Sequence, residues 1–171
     1  MFLKQIGDKN METNNEIVME KIVEDLLMVS IKLDKQNTKD YYNYWRLTKA
    51  KGVPPLEIGI DSSDGSIQTI VFYIESTFFV NFQKWRTNQE NKGIILTDIS
   101  IFKKENDYID NDKPYYLFFK DKDLICSFKR DFQPEECYKN NRIKVYISAN
   151  QLIGFAVSGL SDREFEKIKS V

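Results

Sequence analysis

Apolar residues near the start of the chain recur with the period of a helix. Five of them follow one another at spacings of three and four: Val18, Ile22, Leu26, Val29 and Leu33. This spacing places them on one face of a helix. Thr13 and Glu16 have the spacing of a capping box, a common signal for a helix start. The pattern therefore predicts an N-terminal helix over about residues 14–34, preceded by a loose leader at residues 1–12.

The same segment also carries a competing strand pattern. Its second half contains apolar residues in strict alternation: Leu27, Val29, Ile31 and Leu33. Such alternation is typical of a half-buried strand. We favour the helix because its apolar stripe is longer and begins at a cap, and residues 27–33 stay open between helix and strand.

After residue 55 the pattern changes to short apolar runs separated by turn residues, which is typical of β-hairpins. Three pairs of runs have this form: Leu56–Ile60 with Ile67–Ile74, Tyr115–Phe119 with Leu124–Phe128, and Ile143–Ile147 with Leu152–Val157. Two further apolar stretches, Phe78–Trp85 and Ile94–Phe102, lie between the first pair and the second. Because strands joined by short turns pair antiparallel, we expect one antiparallel sheet.

The end of the chain predicts a second helix. Ser161 and Glu164 have capping-box spacing, and Phe165 and Ile168 lie on one face of the helix that follows. The predicted fold class is therefore α+β: an antiparallel β-sheet of successive hairpins with an N-terminal helix and a short C-terminal helix. A length of 171 residues is typical of a single domain, which we assign to residues 1–171.

The composition excludes several kinds of chemistry. The chain has no histidine, so it has no Ser-His-Asp or Cys-His pair and no histidine-ligated metal. Its 25 basic and 26 acidic side chains nearly cancel, whereas nucleic-acid binders usually have a basic excess. No apolar run approaches the length of a membrane span. We therefore expect a cytoplasmic protein with reduced thiols, no membrane partner and little affinity for nucleic acid.

The two cysteines and the many carboxylates are the remaining candidates for catalysis. Cys126 alternates with Leu124 and Phe128, so we expect it to face the core. Cys137 follows two glutamates, which would raise the pKa of its thiol, the opposite of what a nucleophile needs. No carboxylate pair is marked by its surroundings for glycosidase chemistry. We expect no catalytic residue, metal or cofactor; the alternative is a small histidine-independent hydrolase that uses carboxylates.

An acidic loop at residues 103–114 is the strongest candidate for a binding site. Its candidate partner-binding residues are Glu105, Asp107, Tyr108, Asp110 and Asp112. In this interpretation Tyr108 anchors a basic partner and the carboxylates steer its association. Asp110 and Asp112 also have the spacing of calcium ligands, but the turn glycine and closing glutamate of an EF-hand are missing. A loop that serves only solubility is the simplest alternative.

Two clusters combine aromatic and basic residues, at Tyr41–Arg46 and Phe82–Arg86. Such clusters can stack on the bases of single-stranded nucleic acid. The residues that would do so are Trp45, Arg46, Trp85 and Arg86. Core packing is the simpler explanation: exposure of both tryptophans on one face would favour a nucleic-acid binder, and their burial would exclude it.

Two parts of the chain resemble the small immunity proteins of bacterial polymorphic toxin and contact-dependent inhibition systems. One is Pro55–Ile67, with its turn at Ser62–Gly65; the other is Val145–Phe155 together with Gly159–Glu164. The resemblance implies a non-enzymatic protein that neutralises a cognate toxin by occluding its active site or an essential surface. Many toxin nuclease domains are basic, and acidic loops on an immunity protein agree with such a partner.

Overall fold

The structure is a computed structural model that describes residues 1, 3–6, 14–34, 39, 41–48, 52–81 and 90–171. Within these residues the chain forms fourteen strands, two 3-10 turns and one α-helix. The strands are β1 Leu3–Ile6, β2 Glu16–Val23, β3 Leu26–Lys32, β4 Asn43–Leu47, β5 Leu56–Ile60, β6 Ile67–Ile74, β7 Glu90–Lys92, β8 Ile95–Thr97, β9 Tyr108–Asn111, β10 Tyr116–Lys120, β11 Asp123–Ser127, β12 Glu136–Asn140, β13 Ile143–Ser148 and β14 Gln151–Val157. The 3-10 turns are Ser76–Phe78 and Ile99–Ile101, and the helix α1 is Asp162–Lys169.

Twelve strands form two six-stranded sheets. The first sheet has the order β2-β3-β6-β5-β4-β9, and the second has the order β10-β11-β14-β13-β12-β7. β1 and β8 form a separate pair, joined to the β5–β6 turn by a hydrogen bond from Thr97 N to Gly65 O (2.8 Å). The prediction of one antiparallel sheet is therefore wrong, and each large sheet ends in a parallel pair. When two sheets face each other, each buries its apolar side against the other, whereas a single open sheet would leave its apolar side exposed.

The two large sheets share one topology. In each, five successive antiparallel strands take the spatial order first-second-fifth-fourth-third, and a sixth strand pairs in parallel with the third. The sixth strands, β7 and β9, both come from the connection between the two five-stranded units. The register matches as well, because each unit has a bulge between its fourth and fifth strands, after Gly59 in one and after Tyr146 in the other.

One apolar core lies between the sheets and includes inward-facing side chains of both. The rings of Phe72 on β6 and Phe155 on β14 meet across it, with centroids 5.2 Å apart. The hydroxyl of Tyr115, just before β10, donates a hydrogen bond to the carbonyl of Tyr73 on β6 (2.8 Å). Hydrophobic burial therefore holds the two units together.

The predicted N-terminal helix over residues 14–34 is wrong, because this segment is the antiparallel hairpin β2–β3. Leu27 and Ile31 are fully buried, whereas Val18 and Ile22, on the predicted helix face, are 47% and 46% exposed. The segment forms strands because a strand buries every second residue against the facing sheet, and because the segment is rich in β-branched residues.

The predicted hairpins are confirmed as the pairs β5–β6, β10–β11 and β13–β14. Within the expected leader, Leu3–Ile6 form β1, while residues 7–13, which include the predicted helix cap, lie outside the described residues. The stretch Ile94–Phe102 is a strand only at Ile95–Thr97. Residues 82–85 of the other apolar stretch also lie outside the described part.

The predicted C-terminal helix is confirmed as α1. Both halves of its capping box are present: Glu164 N donates to Ser161 Oγ (3.3 Å), and Ser161 N donates to Glu164 Oε2 (2.8 Å). Ile168 is buried, and the ammonium of Lys167 donates to the carbonyl of Met19 on β2 (2.6 Å). In the described part of the chain, no helix has the length and apolar character needed to cross a membrane.

Candidate partner-binding surface

The predicted acidic loop is partly a strand. Tyr108 and Asp110 lie on the edge strand β9 and are exposed. Glu105 and Asp107 precede this strand in a turn, and Asp112 follows it. Glu105 and Asp112 are exposed, whereas Asp107 is half-buried. Four of the five candidate residues are therefore exposed, and Asp107 is the exception.

Asp107 holds the start of β9 in place. Its carboxylate accepts a hydrogen bond from Lys103 N (2.8 Å), and this bond holds the pKa of the carboxyl below its ordinary value. Its backbone N–H donates to Asn43 Oδ1 (3.1 Å), and its carbonyl accepts from Tyr44 N (2.8 Å). Because its polar groups are used within the fold, Asp107 is a positioning residue.

Five side chains from β4, β5 and β9 form a connected group around Tyr108. The rings of Tyr108 and Tyr44 stack, with centroids 5.3 Å apart and planes 12° apart. The Arg46 guanidinium lies 4.5 Å from the centroid of the Tyr108 ring and donates to both carboxylate oxygens of Asp110, at 2.5 and 2.9 Å. Glu57 adds an ion pair with Arg46 at 3.6 Å. We call Tyr44, Arg46, Glu57, Tyr108 and Asp110 the Tyr108 patch.

The charged groups of the Tyr108 patch stabilise one another. The hydrogen bond from Arg46 lowers the pKa of Asp110, and the same bond raises the pKa of Arg46. Burial raises the pKa of Tyr44, and the charge of Glu57 adds to this shift. Arg46 and Asp110 therefore stay charged, and Tyr44 stays neutral, over the physiological pH range.

Gly59 on β5 lets the side chain of Thr69 approach the backbone closely, beside the ring of Tyr44. A Cβ at this position would collide with Thr69 Oγ1 and would lie 3.4 Å from Cε1 of Tyr44. A glycine in a strand often marks such a close approach. The close approach of Thr69 on β6 to this strand therefore depends on the glycine.

The two cysteines are buried, as expected for Cys126 in the core. Burial raises the pKa of the Cys137 thiol to about 11, and the charge of Glu90 on the neighbouring strand β7 adds to the shift. The direction agrees with the sequence prediction, but the cause is burial. A thiol with this pKa is almost fully protonated at neutral pH and is a poor nucleophile.

The described carboxylates give the hydrolase alternative no support, because that activity calls for a raised pKa in a pocket. The carboxyl groups whose pKa departs from its ordinary value all have it lowered: Asp61, Asp107, Asp110, Glu135 and Glu164. A groove of about 590 Å³ contains one of them, Glu164, which is bonded to Arg142 at 2.9 Å. In the described ranges, no three or more Cys, Asp or Glu residues are grouped so as to hold a metal ion.

The cluster Tyr41–Arg46 does not act as one surface: Tyr44 and Arg46 belong to the Tyr108 patch, whereas Tyr41 is exposed. Trp45 is buried and packs against Phe128, with ring centroids 5.4 Å apart. It therefore offers no platform for a nucleic-acid base. The second cluster, Phe82–Arg86, lies outside the described residues.

Sequence reasoning missed Tyr44, Arg46 and Glu57 as partners of Tyr108. In the structure, residues of Asn43–Leu47 alternate between buried and half-buried, so that Tyr44 and Arg46 share the outer face. The residue types of this segment do not show that alternation by themselves. Their pairing with β9 is a contact across 64 positions of the chain, and no local pattern indicates it.

No protein-family model matches this sequence, and no curated protein matches it.

Proposed function

We propose that this chain is a non-enzymatic binding protein, an immunity protein that neutralises a cognate bacterial toxin by occluding its active site or an essential surface. The observation that carries the proposal is the Tyr108 patch, where an exposed tyrosine ring is held by a second tyrosine and an arginine. The resemblance of Pro55–Ile67 to immunity proteins supports it further. In this proposal the protein acts in the bacterial cytoplasm and uses no cofactor.

Tyr108 has the properties of a binding anchor. Its side chain is 47% exposed, yet its ring is fixed by Tyr44 and by the guanidinium of Arg46. A ring that is already ordered loses little conformational entropy when a partner covers it. Tyrosine and arginine are also the residue types enriched at the energetic centres of protein interfaces.

The net negative charge of the Tyr108 patch itself favours a basic partner. Glu105 and Asp112 are exposed, and no described residue forms an ion pair with either. Arg46 carries the one positive charge of the Tyr108 patch, whereas Asp110 and Glu57 carry two negative charges, so the patch is net negative. Complementary charge speeds association, and a toxin with a basic surface fits this site best. We expect a total buried area of about 1,600 Å².

The test of the proposal is neutralisation of a toxin domain. The candidate is the C-terminal domain of any large secreted protein that a neighbouring gene encodes. Co-expression with the wild-type chain should restore growth, and Tyr108→Ala should lose this protection. Binding to the inactivated toxin domain should weaken by at least about thirtyfold in Tyr108→Ala. The control Tyr108→Phe keeps the ring and should bind and protect. A wild-type chain that neither binds nor protects would exclude the immunity function.

The steering role of the acids has its own test. Glu105→Lys and Asp112→Lys should lower the association rate constant at low salt and flatten its dependence on ionic strength. Glu166→Lys reverses a charge at an exposed position of α1 and is the matched control. Equal association rates for all three variants would leave Tyr108 as the anchor but remove the acids from the mechanism.

A further inference from the structure

The outer faces of the two large sheets are equivalent in topology but differ in what covers them. On the second sheet this face carries a second buried apolar cluster: Phe118, Ile125, Phe132, Cys137, Tyr146, Ile153 and Ala156. Phe132 comes from the segment between β11 and β12 and packs on Tyr146 and Phe118, with ring centroids 5.1 and 5.7 Å away. The chain thus covers the outer face of its own second sheet.

Aligning the two sheets at their bulges shows which position on the first sheet corresponds to each position on the second. The pairs are Ser30 with Ile125, Val71 with Ala156, and Thr69 with Gly154. Phe132 lies directly above this place on the second sheet, because its ring is 3.0 Å from where a Cβ of Gly154 would be. On the first sheet the three positions are half-buried, and the described residues form no apolar cluster above them.

We propose that the outer face of the first sheet is the docking surface for the toxin. The toxin places an apolar or aromatic side chain over Ser30, Thr69 and Val71, where Phe132 lies on the second sheet. This inference rests on the proposed function and extends its site from the Tyr108 patch across the sheet. One row of side chains links the two edges: Val18, Ser30, Val71, Glu57, Arg46 and Asp110.

The charges on this face indicate a basic partner surface. On the described strands of this face, the outward-facing charged residues are the acids Glu16, Glu20, Glu57 and Asp110 and the bases Lys32 and Arg46. Both bases already have acidic partners on the same face, since Lys32 lies 3.6 Å from Glu16 and Arg46 binds Asp110. Two such faces repel each other, which disfavours a second copy of the chain. Lysines and arginines around an apolar side chain complement the face.

The extent of the face suits a protein partner. Six strands at a spacing of about 4.8 Å span about 24 Å. Val18 on β2 and Tyr108 on β9, each 47% exposed, lie at its two edges. A small ligand would need a concave pocket, whereas among the described residues this face is one side of a sheet with no apolar cluster above it.

Val71→Arg tests the proposal because it places a bulky positive charge at the centre of the face. We expect binding to the inactivated toxin domain to weaken by at least about thirtyfold. Gln133→Arg is the matched control, since it adds the same charge at an exposed position beside Phe132, and it should bind like the wild type. Thermal melting of the free variants shows that both are folded.

Hydroxyl-radical footprinting of the wild-type complex gives a second readout that needs no variant. Met28 and Tyr73 pair across β3 and β6 on the same outer face, and both are half-buried in the free chain. Their oxidation should fall on binding, while Tyr116 on the second sheet keeps its reactivity.

The outcomes separate this inference from the proposed function. If Val71→Arg binds as tightly as the wild type and Met28 and Tyr73 stay reactive, the outer face is not the docking surface, although the Tyr108 patch can still anchor the toxin. A wild-type chain that fails to bind the toxin domain overturns both proposals. A chain that dimerises alone through a contact sensitive to Val71→Arg assigns the face to a second copy, and the basic partner is then wrong.

Discussion

Arg46 on β4 and Asp110 on β9 form a two-point ion pair, with N···O distances of 2.5 and 2.9 Å. The pair joins the parallel edge strand β9 to its neighbour and places the guanidinium over the ring of Tyr108. On the second sheet, Lys144 on β13 contacts Glu90 on the parallel edge strand β7 at 2.6 Å. The two parallel edge strands, β7 and β9, are therefore each held by a charge contact.

Replacing Arg46 separates its role in stability from its role in binding. Arg46→Met should lower the free energy of unfolding by less than about 1 kcal/mol, because ion pairs with exposed members contribute little. The loss in the free energy of toxin binding should be larger than this loss in stability, because the Tyr108 ring loses the cation that orients it. Urea unfolding and titration calorimetry measure the two effects. A large loss of stability with unchanged affinity would make Arg46 a purely structural residue.

Two alanine substitutions distinguish the observed hairpin from a helix over residues 14–34. Ile31→Ala should cost about 2–5 kcal/mol, because this side chain is fully buried on β3. Ile22→Ala should cost less than about 1 kcal/mol, because the side chain is 46% exposed. On a helix the order would be reversed, since Ile22 belongs to the apolar stripe and Ile31 does not. Denaturant unfolding of both variants decides the question.

Gly59→Ala should destabilise the first sheet. The added Cβ collides with Thr69 Oγ1, and overpacking of this kind costs about 1–3 kcal/mol. The double variant Gly59→Ala/Thr69→Ala removes the colliding hydroxyl and should recover most of the loss in unfolding free energy. If the double variant is no more stable than Gly59→Ala, the collision is not the cause.

Stability should fall in acid and change little near neutral pH. The carboxyls with lowered pKa stabilise the fold above their ordinary pKa values of 3.8 and 4.5, and this contribution is lost as the pH falls through the lowered values. No histidine titrates between pH 5 and 8. Burial lowers the pKa of the Met1 amino group from 8.0, which adds only a small rise in stability toward pH 8.

Asp61 provides the sharpest test of this pH dependence. Its side chain is 4% exposed, and its carboxylate accepts hydrogen bonds from Lys39 Nζ and Ser63 N. Asp61→Asn should lower stability at pH 7 by about 1–3 kcal/mol, and its difference from the wild type should shrink toward pH 2. Asp25→Asn, at an exposed turn, is the control. A difference that persists unchanged at pH 2 would show that the charge is not what stabilises.

Both thiols should be unreactive in the folded protein. Cys126 and Cys137 are 0% and 1% exposed, and the raised pKa of Cys137 suppresses its thiolate. Treatment with a disulfide reagent at pH 8 should leave both unlabelled, and addition of guanidinium should release two equivalents. Rapid labelling of Cys137 in the native state would contradict its burial.

Local patterns predicted the elements whose two halves are close in sequence. The hairpin β5–β6 follows from the turn at Ser62–Gly65, and α1 follows from the capping box of Ser161 and Glu164. The prediction for residues 14–34 was wrong because their apolar residues fit both the spacing of a helix and the alternation of a strand. Only burial against the facing sheet selects the strand. Tyr108 was predicted as a candidate anchor, but its contacts with β4 were not, because they span 64 positions.

Three features follow from the amino-acid sequence alone: the absence of histidine chemistry, the hairpin turns and the C-terminal helix. Each depends on residue types or on neighbours a few positions apart. Packing between distant segments sets how the strands divide into two sheets of the same topology, and it places β7 and β9 in different sheets. It also decided that Phe132 covers one outer face while Val71 stays half-buried on the other. These are long-range packing choices, made by the burial of whole faces, and no local spacing of residues encodes them.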